Sequence, residues 1–395
     1  MNLTDLCEVF TDGDWIESKD QSKDGIRLIQ TGNIGIGQFI EKDDKAKYIS
    51  IETFERLKCT EVFEGDILVS RLPDPIGRAC IVPNKTERLI TAVDCTICRP
   101  KADIIDREYL CYFMQSKTYY ERLFNNVTGT TRKRISRKNL GNVEIYVPSK
   151  EEQKIIVKKL NLLTKIISNR TKELSYLDNL IKARFVELFG YLMENPFNWP
   201  MKTIADVSLF LKSGLSRKLS DEDIGLPVIR SGNIQNGQFI FDNVKYWYKD
   251  DPQGANTKDY VLEDGDVLVN FINSSSQIGK TAIYRDTGRD CIYTTNIFRM
   301  KLADNCNEYY YNWFAMSDYY YRHLQNIIQP AVNQSSFTTV NFLKLPIPLP
   351  AKDKQNEFAE FVKQVDKSKV VVPSKIKNAI FAIMLSVSFG QITSI

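Results

Sequence analysis

Two stretches decide how this chain folds: TGNIGIGQFI at 31–40 and SGNIQNGQFI at 231–240. Seven of the ten positions are identical at an offset of 200 residues, which chance explains poorly. Working outward, EGDILVS at 64–70 pairs with DGDVLVN at 264–270, IGRACIV at 76–82 with IGKTAIY at 278–284, and ICRPK at 97–101 with IFRMK at 297–301. The drift then settles at 202, where IYVPSKEEQ at 145–153 sits opposite IPLPAKDKQ at 347–355. The 395 residues are a tandem duplication. Each copy is far longer than the roughly 20–50 residues of a stacking repeat, so each should carry its own core.

Within each copy a strand-rich portion is followed by a proline and then by a helical portion. Short apolar runs, Ile67 to Val69 and Val267 to Val269, follow acidic-Gly-Asp turns, as strands do. Gly65 and Gly265 suit turns that need positive φ. YLCYFMQSKTYYERL at 109–123 and YYYNWFAMSDYYYRHL at 309–324 have helical length and spacing. Their tyrosines read as core in preference to a base-stacking surface, and His323 among them as structural.

The first long helix is better defined. Ser149 and Glu152 form a capping box, and Gly190 supplies a stop. Between them Ile156, Leu160, Leu163, Ile167, Arg170, Leu174, Leu177, Ile181, Arg184 and Leu188 step by four and three, the spacing of a coiled-coil seam. About 40 helical residues make a rod of roughly 60 Å. Adding 202 gives a second seam through Phe358, Val362, Val365, Ile376 and Ile383, with Pro373 inside it as a kink or interruption.

The predicted fold is α+β: two similar β-rich globular domains in tandem, separated by two long helices that form an antiparallel coiled coil with pseudo-two-fold symmetry. The predicted bounds are 1–148 for the first domain, 149–190 for the central helix, 191–350 for linker and second domain, and 351–395 for the C-terminal helix. The alternative is two amphipathic helices, each docked on its own domain.

Composition narrows the chemistry. Lys and Arg total 53 against 49 Asp and Glu, a net charge of +4 that names no polyanionic partner by itself. One histidine argues against catalytic triads and imidazole metal clusters. Eight cysteines, six of them in the first copy, do not look like a disulfide framework. The N-terminus lacks a signal-peptide pattern, and the most apolar stretch, 379–389, falls short of a membrane span, so a cytoplasmic location is expected. SSSQIGKT at 274–281 ends like a phosphate loop but lacks its first glycine, and its repeat partner lacks the ending. Cys95 and Cys98 form one CxxC, and the matching Thr295 and Phe298 ligate nothing, so no metal site is expected. NPFN at 195–198 lacks the second proline of an adenine-gripping loop and reads as a linker. No catalytic residue is assigned.

GTTRKRISRK at 129–138 stands out, with five cations and no acid. Thr130, Thr131, Arg132, Lys133, Arg134 and Arg137 are candidate DNA contacts through phosphates or guanine edges, the alternative being a solvated loop. The second copy's counterpart, QPAVNQSSFTTVN at 329–341, has no charge but offers Asn333, Gln334 and Ser335, which also read base edges. Arg71, Arg78, Asn270, Gln277 and Lys280 lie near the other matched turns as secondary candidates.

This organisation resembles the DNA-specificity (S) subunits of type I restriction-modification systems, and the resemblance covers essentially the whole chain. It rests on the [TS]GNI and GD[IV]L[VI] elements of both copies, Thr31 to Ile34 and Gly65 to Val69 in the first, each followed by a VP or LP dipeptide, an acidic-Gln helix start such as Glu151, Glu152, Gln153, and a long helix. It implies that each globular domain reads one half of a bipartite site in double-stranded DNA. The helices would be spacers that dock two methylation subunits holding S-adenosylmethionine, with restriction subunits using ATP and Mg as optional further partners. A non-catalytic tandem-domain scaffold without DNA recognition is the alternative.

Deleting one seam step, about four residues, from both helices is expected to shorten the tolerated DNA spacer by about a base pair or more. Mapping of methylated sites in such a deletion checks this; an unchanged motif refutes it.

Overall fold

The apolar runs after Gly65 and Gly265, both at φ +86°, become the central strands Ile67–Ser70 and Val267–Asn270. The computed structural model describes residues 1–125, 127, 133–235, 237–331 and 334–369, and these divide into two compact units, residues 1–172 and 173–369. In the first unit an antiparallel sheet runs in the order Cys7–Asp12, Cys95–Pro100, Ile67–Ser70, Ala79–Ile81. The second unit repeats it as Ser208–Ser213, Ile297–Leu302, Val267–Asn270, Thr281–Ile283. Each unit also holds a smaller sheet with one parallel pair, Ile26–Ile29 with Leu89–Thr91 and Leu226–Ile229 with Ile292–Tyr293.

Every residue of the two central strands is buried, so each sheet must be covered on both faces. The two-residue alternation of a strand does this sorting. Ile67 and Val69 pack with the helices Arg107–Phe113 and Lys117–Phe124, while Leu68 turns to the smaller sheet with Ile29 and Leu89. Val267 and Val269 face the aromatic helices Glu308–Phe314 and Asp318–Gln325, and Leu268 joins Ile229 and Tyr293. The tyrosines are thus core. Tyr119 and Tyr320 donate their hydroxyls to the Gly77 and Gly279 carbonyls at 3.0 and 3.1 Å. His323 is structural too, its Nδ1 2.8 Å from the Tyr319 carbonyl.

The repeated Gln of the helix starts has the same place in both units. Gln153 accepts from the Asp106 N–H at 2.7 Å and donates to the Ile104 and Pro148 carbonyls. Gln355 accepts from the Asn307 N–H at 2.8 Å and donates to the Asn305 and Pro350 carbonyls. The capping box at Ser149 also forms: its N–H donates to Glu152 at 2.9 Å, and its hydroxyl accepts from the Glu152 N–H.

The helix beginning at Lys150 runs 40 residues to Phe189. All ten predicted seam positions are buried or half-buried, and from 161 to 180 no other position is. Ile156, Leu160 and Ile181 are buried; Leu163, Ile167, Leu174 and Leu177 are half-buried. Within the second unit the C-terminal helix Lys352–Lys369 lies antiparallel to residues 178–189. Arg184 pairs with Glu357 at 2.6 Å and Asp178 with Lys369 at 2.8 Å, while Phe358 meets Phe185 and Phe189 edge-on. Val362 and Val365 are buried in the same core. Ile376, Ile383 and Pro373 lie outside the described residues.

One pairing from the sequence is corrected. Gly77 donates to the Ser70 carbonyl as Gly279 does to that of Asn270, and Arg71 donates to the Asp94 carbonyl as Phe271 does to that of Asn296. The loop after Asn270 is therefore two residues longer, and the following strand stays at offset 202, not 200. Arg99 stands where Lys301 stands, and Cys95 and Cys98 match Ile297 and Met300. The buried carboxylate after each Gly keeps a guanidinium partner nonetheless. Arg99 grips Asp66 with two hydrogen bonds at 2.8 and 2.9 Å, whereas Asp266 is held at 2.6 Å by Arg299, two residues earlier on its strand. A two-residue step preserves the face.

All eight cysteines are free and buried. Burial pushes the Cys59 thiol up to about 11 and those of Cys80, Cys95, Cys111 and Cys306 up to about 12. Among the described residues no helix is long and apolar enough to cross a membrane, and no cluster of His, Cys, Asp and Glu could hold a metal ion.

Arg299→Met leaves Asp266 buried without its cation and is expected to destabilise the second unit by about 3–5 kcal/mol. Urea unfolding of the full chain measures the loss; an unchanged midpoint refutes the assignment.

Candidate nucleic-acid interface

At one end of each central sheet four segments meet: the [TS]GNI turn, the loop leaving the central strand, the residues before the next sheet strand, and the divergent loop near 133 or 334. The turns themselves are structural. Asn33 is buried, accepts from the Gln30 N–H at 3.0 Å and donates to the Ile40 carbonyl at 3.0 Å. Asn233 accepts from the Arg230 N–H at 2.9 Å and donates to the Ile240 and Asp242 carbonyls. A buried amide satisfying main-chain groups on both sides fixes the turn.

In the first domain Arg71 clamps the basic loop. It donates to the Ile135 carbonyl at 3.3 Å and the Val93 carbonyl at 2.7 Å, and lies 3.2 Å from Asp12. Its own carbonyl accepts from the Ile135 N–H. Arg78 reaches from the sheet to the turn, donating to the carbonyls of Ile34, Thr31, Leu72 and Pro75 at 2.7–3.1 Å. Both side chains are buried, which draws their guanidinium pKa values below the ordinary range. Instead of facing a base, as the sequence suggested, they hold the loops in place.

In the second domain the clamp is aromatic. Phe271 replaces Arg71 and stacks on Phe298 with ring centroids 3.6 Å apart. The Phe337 N–H donates to the Phe271 carbonyl, as that of Ile135 does to Arg71. Ile272–Asn273 pairs with Ser335–Ser336 as a short ribbon. Asn270 is buried and donates to the Ser231 carbonyl at 3.3 Å, so it too is a positioning residue.

The remaining candidates divide by exposure. Lys133, Arg134 and Arg137 are exposed; Arg134 pairs with Asp94 at 2.8 Å, and Arg137 reaches Thr11 at 3.5 Å. Gln334 is exposed, Gln277 and Lys280 are half-buried, and Ser335 is buried. Thr130, Thr131, Arg132 and Asn333 lie outside the described residues.

A cleft of about 350 Å³ beside the second turn was not singled out from the sequence. Arg217 and Arg230 line it with Ser231, Thr294, Thr295 and Asn296. Arg217 donates to Asp251 at 2.6 and 3.0 Å and holds that carboxyl at about 2. The pair's contribution to stability is thus complete above the ordinary carboxylate pKa near 4 and is lost as pH falls through about 2. Charge at matched positions is the signal that exposes the cleft: Gln30 opposite Arg230 adjoins the repeated turn at offset 200, whereas Asp94 opposite Asn296 requires the corrected offset of 202.

Both copies match one family of proteins, described as "Type I restriction modification DNA specificity domain", over residues 1–176 and 196–381. A putative type I restriction enzyme MjaX specificity subunit of Methanocaldococcus jannaschii is 29% identical over 174 residues, 44% of this chain and 40% of that one. The EcoKI specificity subunit of Escherichia coli is 21% identical over 301 residues, covering 72% of this chain and 64% of that one. The chain therefore spans less than two thirds of the length of these relatives. A type I restriction-modification S subunit from M. genitalium shares the fold, with a TM-score of 0.54 and 14% identity over 97% of this chain and 93% of that one.

Arg78→Met, which strands four carbonyls, is expected to cost about 3 kcal/mol or more, whereas the exposed Lys133→Gln stays within about 0.5 kcal/mol. Thermal unfolding of both variants checks the division between frame and surface; equal losses overturn it.

Proposed function

The chain belongs to the type I restriction modification DNA specificity family, and from that membership we propose that it is the sequence-reading, non-catalytic subunit of a DNA-modifying complex. Each globular domain reads one half of a bipartite target in double-stranded DNA. The observation that carries this reading is one frame repeated with different chemistry at one place. The turn, the buried Asn, the clamped loop and the helix-start Gln recur in both units. The loop they present is cationic in one, with Lys133, Arg134 and Arg137, and uncharged in the other, with Gln334. A common frame with unlike loops is what two readers of two different sequences need.

The long helix and the C-terminal helix serve as the spacer between the half-sites and as the docking surface for two methylation subunits. Those partners would supply S-adenosylmethionine and take the target adenine out of the duplex. Restriction subunits with ATP and Mg are optional members of the same complex. This chain contributes recognition alone and works inside the cell, where the DNA is.

Co-expression with the cognate methylation subunit, followed by mapping of modified adenines across a genome, is expected to return a gapped two-part motif. Replacing residues 329–341 by residues 129–138 should then change one half of that motif only. Modification without a gapped motif refutes the reading, and a change in both halves or neither refutes the loop assignment.

A further inference from the structure

The second domain's recognition loop carries no cation, yet a duplex presents the same phosphates to both domains. Three matched positions show where the positive charge has gone. Asp14 and Leu215 make equivalent strand bridges, to Ala92 and Thr294. Gln30 and Arg230 donate their N–H groups to the equivalent buried asparagines. The Asp94 and Asn296 carbonyls accept from the equivalent Arg71 and Phe271. Across these three positions the first domain has Asp, Gln and Asp and the second Leu, Arg and Asn, so formal charge moves from −2 to +1. In the first domain Asp94 is spent on Arg134 of the basic loop. In the second, loop cations and cleft acids are lost together.

Arg230 is the uncompensated cation that results. Its Nη2 donates to the Asn243 carbonyl at 2.6 Å, while its Nε is buried and has no acceptor. Arg217, across the same cleft, is balanced by Asp251. The rest of the lining offers hydroxyls and an amide, from Ser231, Thr294, Thr295 and Asn296, and no carboxylate. A half-buried guanidinium that meets a neutral carbonyl and no carboxylate, in a cleft whose one nearby acid is already paired with Arg217, fits a singly charged anion with several oxygens. The cleft also adjoins the presented loop: the Asn296 carbonyl accepts from Phe271 and Ile272, and Ile272–Asn273 pairs with Ser335–Ser336.

We propose that the Arg230 cleft binds a DNA backbone phosphate and anchors the second domain on its half-site, doing there what the basic loop does in the first domain. This rests on the reading of the chain as a DNA-specificity subunit and assigns a residue to it. The anchor contributes affinity without choosing bases.

The test uses the full chain assembled with its methylation subunit, a labelled duplex containing the mapped target, and a scrambled duplex, titrated over a range of salt. Arg230→Gln, the residue the first domain carries there, should weaken binding to both duplexes by the same factor and lower the salt slope by about 1. The methylated motif should stay the same, and Arg230→Lys should retain the slope. A wild-type slope in Arg230→Gln, or altered base preference in the second half-site, overturns the phosphate assignment. Neutral methylphosphonates placed singly through the second half-site test the wild-type protein without relying on a variant: one position should cost affinity, and none doing so also overturns it. If the wild-type complex shows no salt-sensitive DNA binding, the DNA-specificity reading itself fails, and the anchor with it.

Discussion

One buried amide in each half, Gln153 and Gln355, fixes where a globular core hands over to a long helix. Each side chain is fully buried and bonded on three sides to main-chain groups: the N-cap of the helix Arg107–Phe113 or Glu308–Phe314, the segment before that cap, and the proline that closes the strand-rich portion. A buried amide that loses a partner costs about 1–3 kcal/mol. The helix therefore cannot start a turn earlier or later without leaving buried main-chain groups unpaired. Tyr109 and Tyr310 reinforce the junction by donating to the carbonyls of Tyr146 and Pro348, at the end of the same strand-rich portion.

Around that junction the two halves satisfy the same backbone with different side chains. Arg78 serves four carbonyls in the first half, and Asn270 takes over the turn carbonyl in the second. Arg71 gives way to Phe271, so a clamp made of hydrogen bonds becomes one made of stacked rings. The carboxylate after the strand turn keeps a guanidinium that has moved two residues along the strand. What is held constant is the pairing of main-chain groups in the frame. The means vary, which lets a surface loop change its chemistry without disturbing the core beneath it.

Much of this was legible in the sequence. The duplication was visible because the [TS]GNI turn needs an asparagine with both ends of its amide engaged, and few residues can replace it. The long helix was visible because a seam leaves a regular trace, and its burial follows that trace closely. The site was less legible. Arg71 and Arg78 looked like ligands because they are cations near turns, and composition does not say whether a guanidinium points at water or at a carbonyl. Arg217 sits in a segment without other signals, and Arg230 stands just before a repeated turn whose identical residues draw the eye away from the Gln-to-Arg change beside them; both gain meaning from what stands opposite. A two-residue insertion in one loop was enough to pair ICRPK with the wrong neighbours.

The cysteines carry a practical consequence. Eight thiols in one chain would ordinarily give a labelling experiment a crowded background, but here every one is inside a core. Those for which burial acts most strongly remain protonated far above neutral pH, and maleimides and disulfide reagents react with the thiolate. The native chain is thus close to silent toward such reagents while it stays folded. A single cysteine engineered on either presented loop would carry a dye or spin label at that one place, and each domain's engagement could be watched separately in an otherwise unaltered protein.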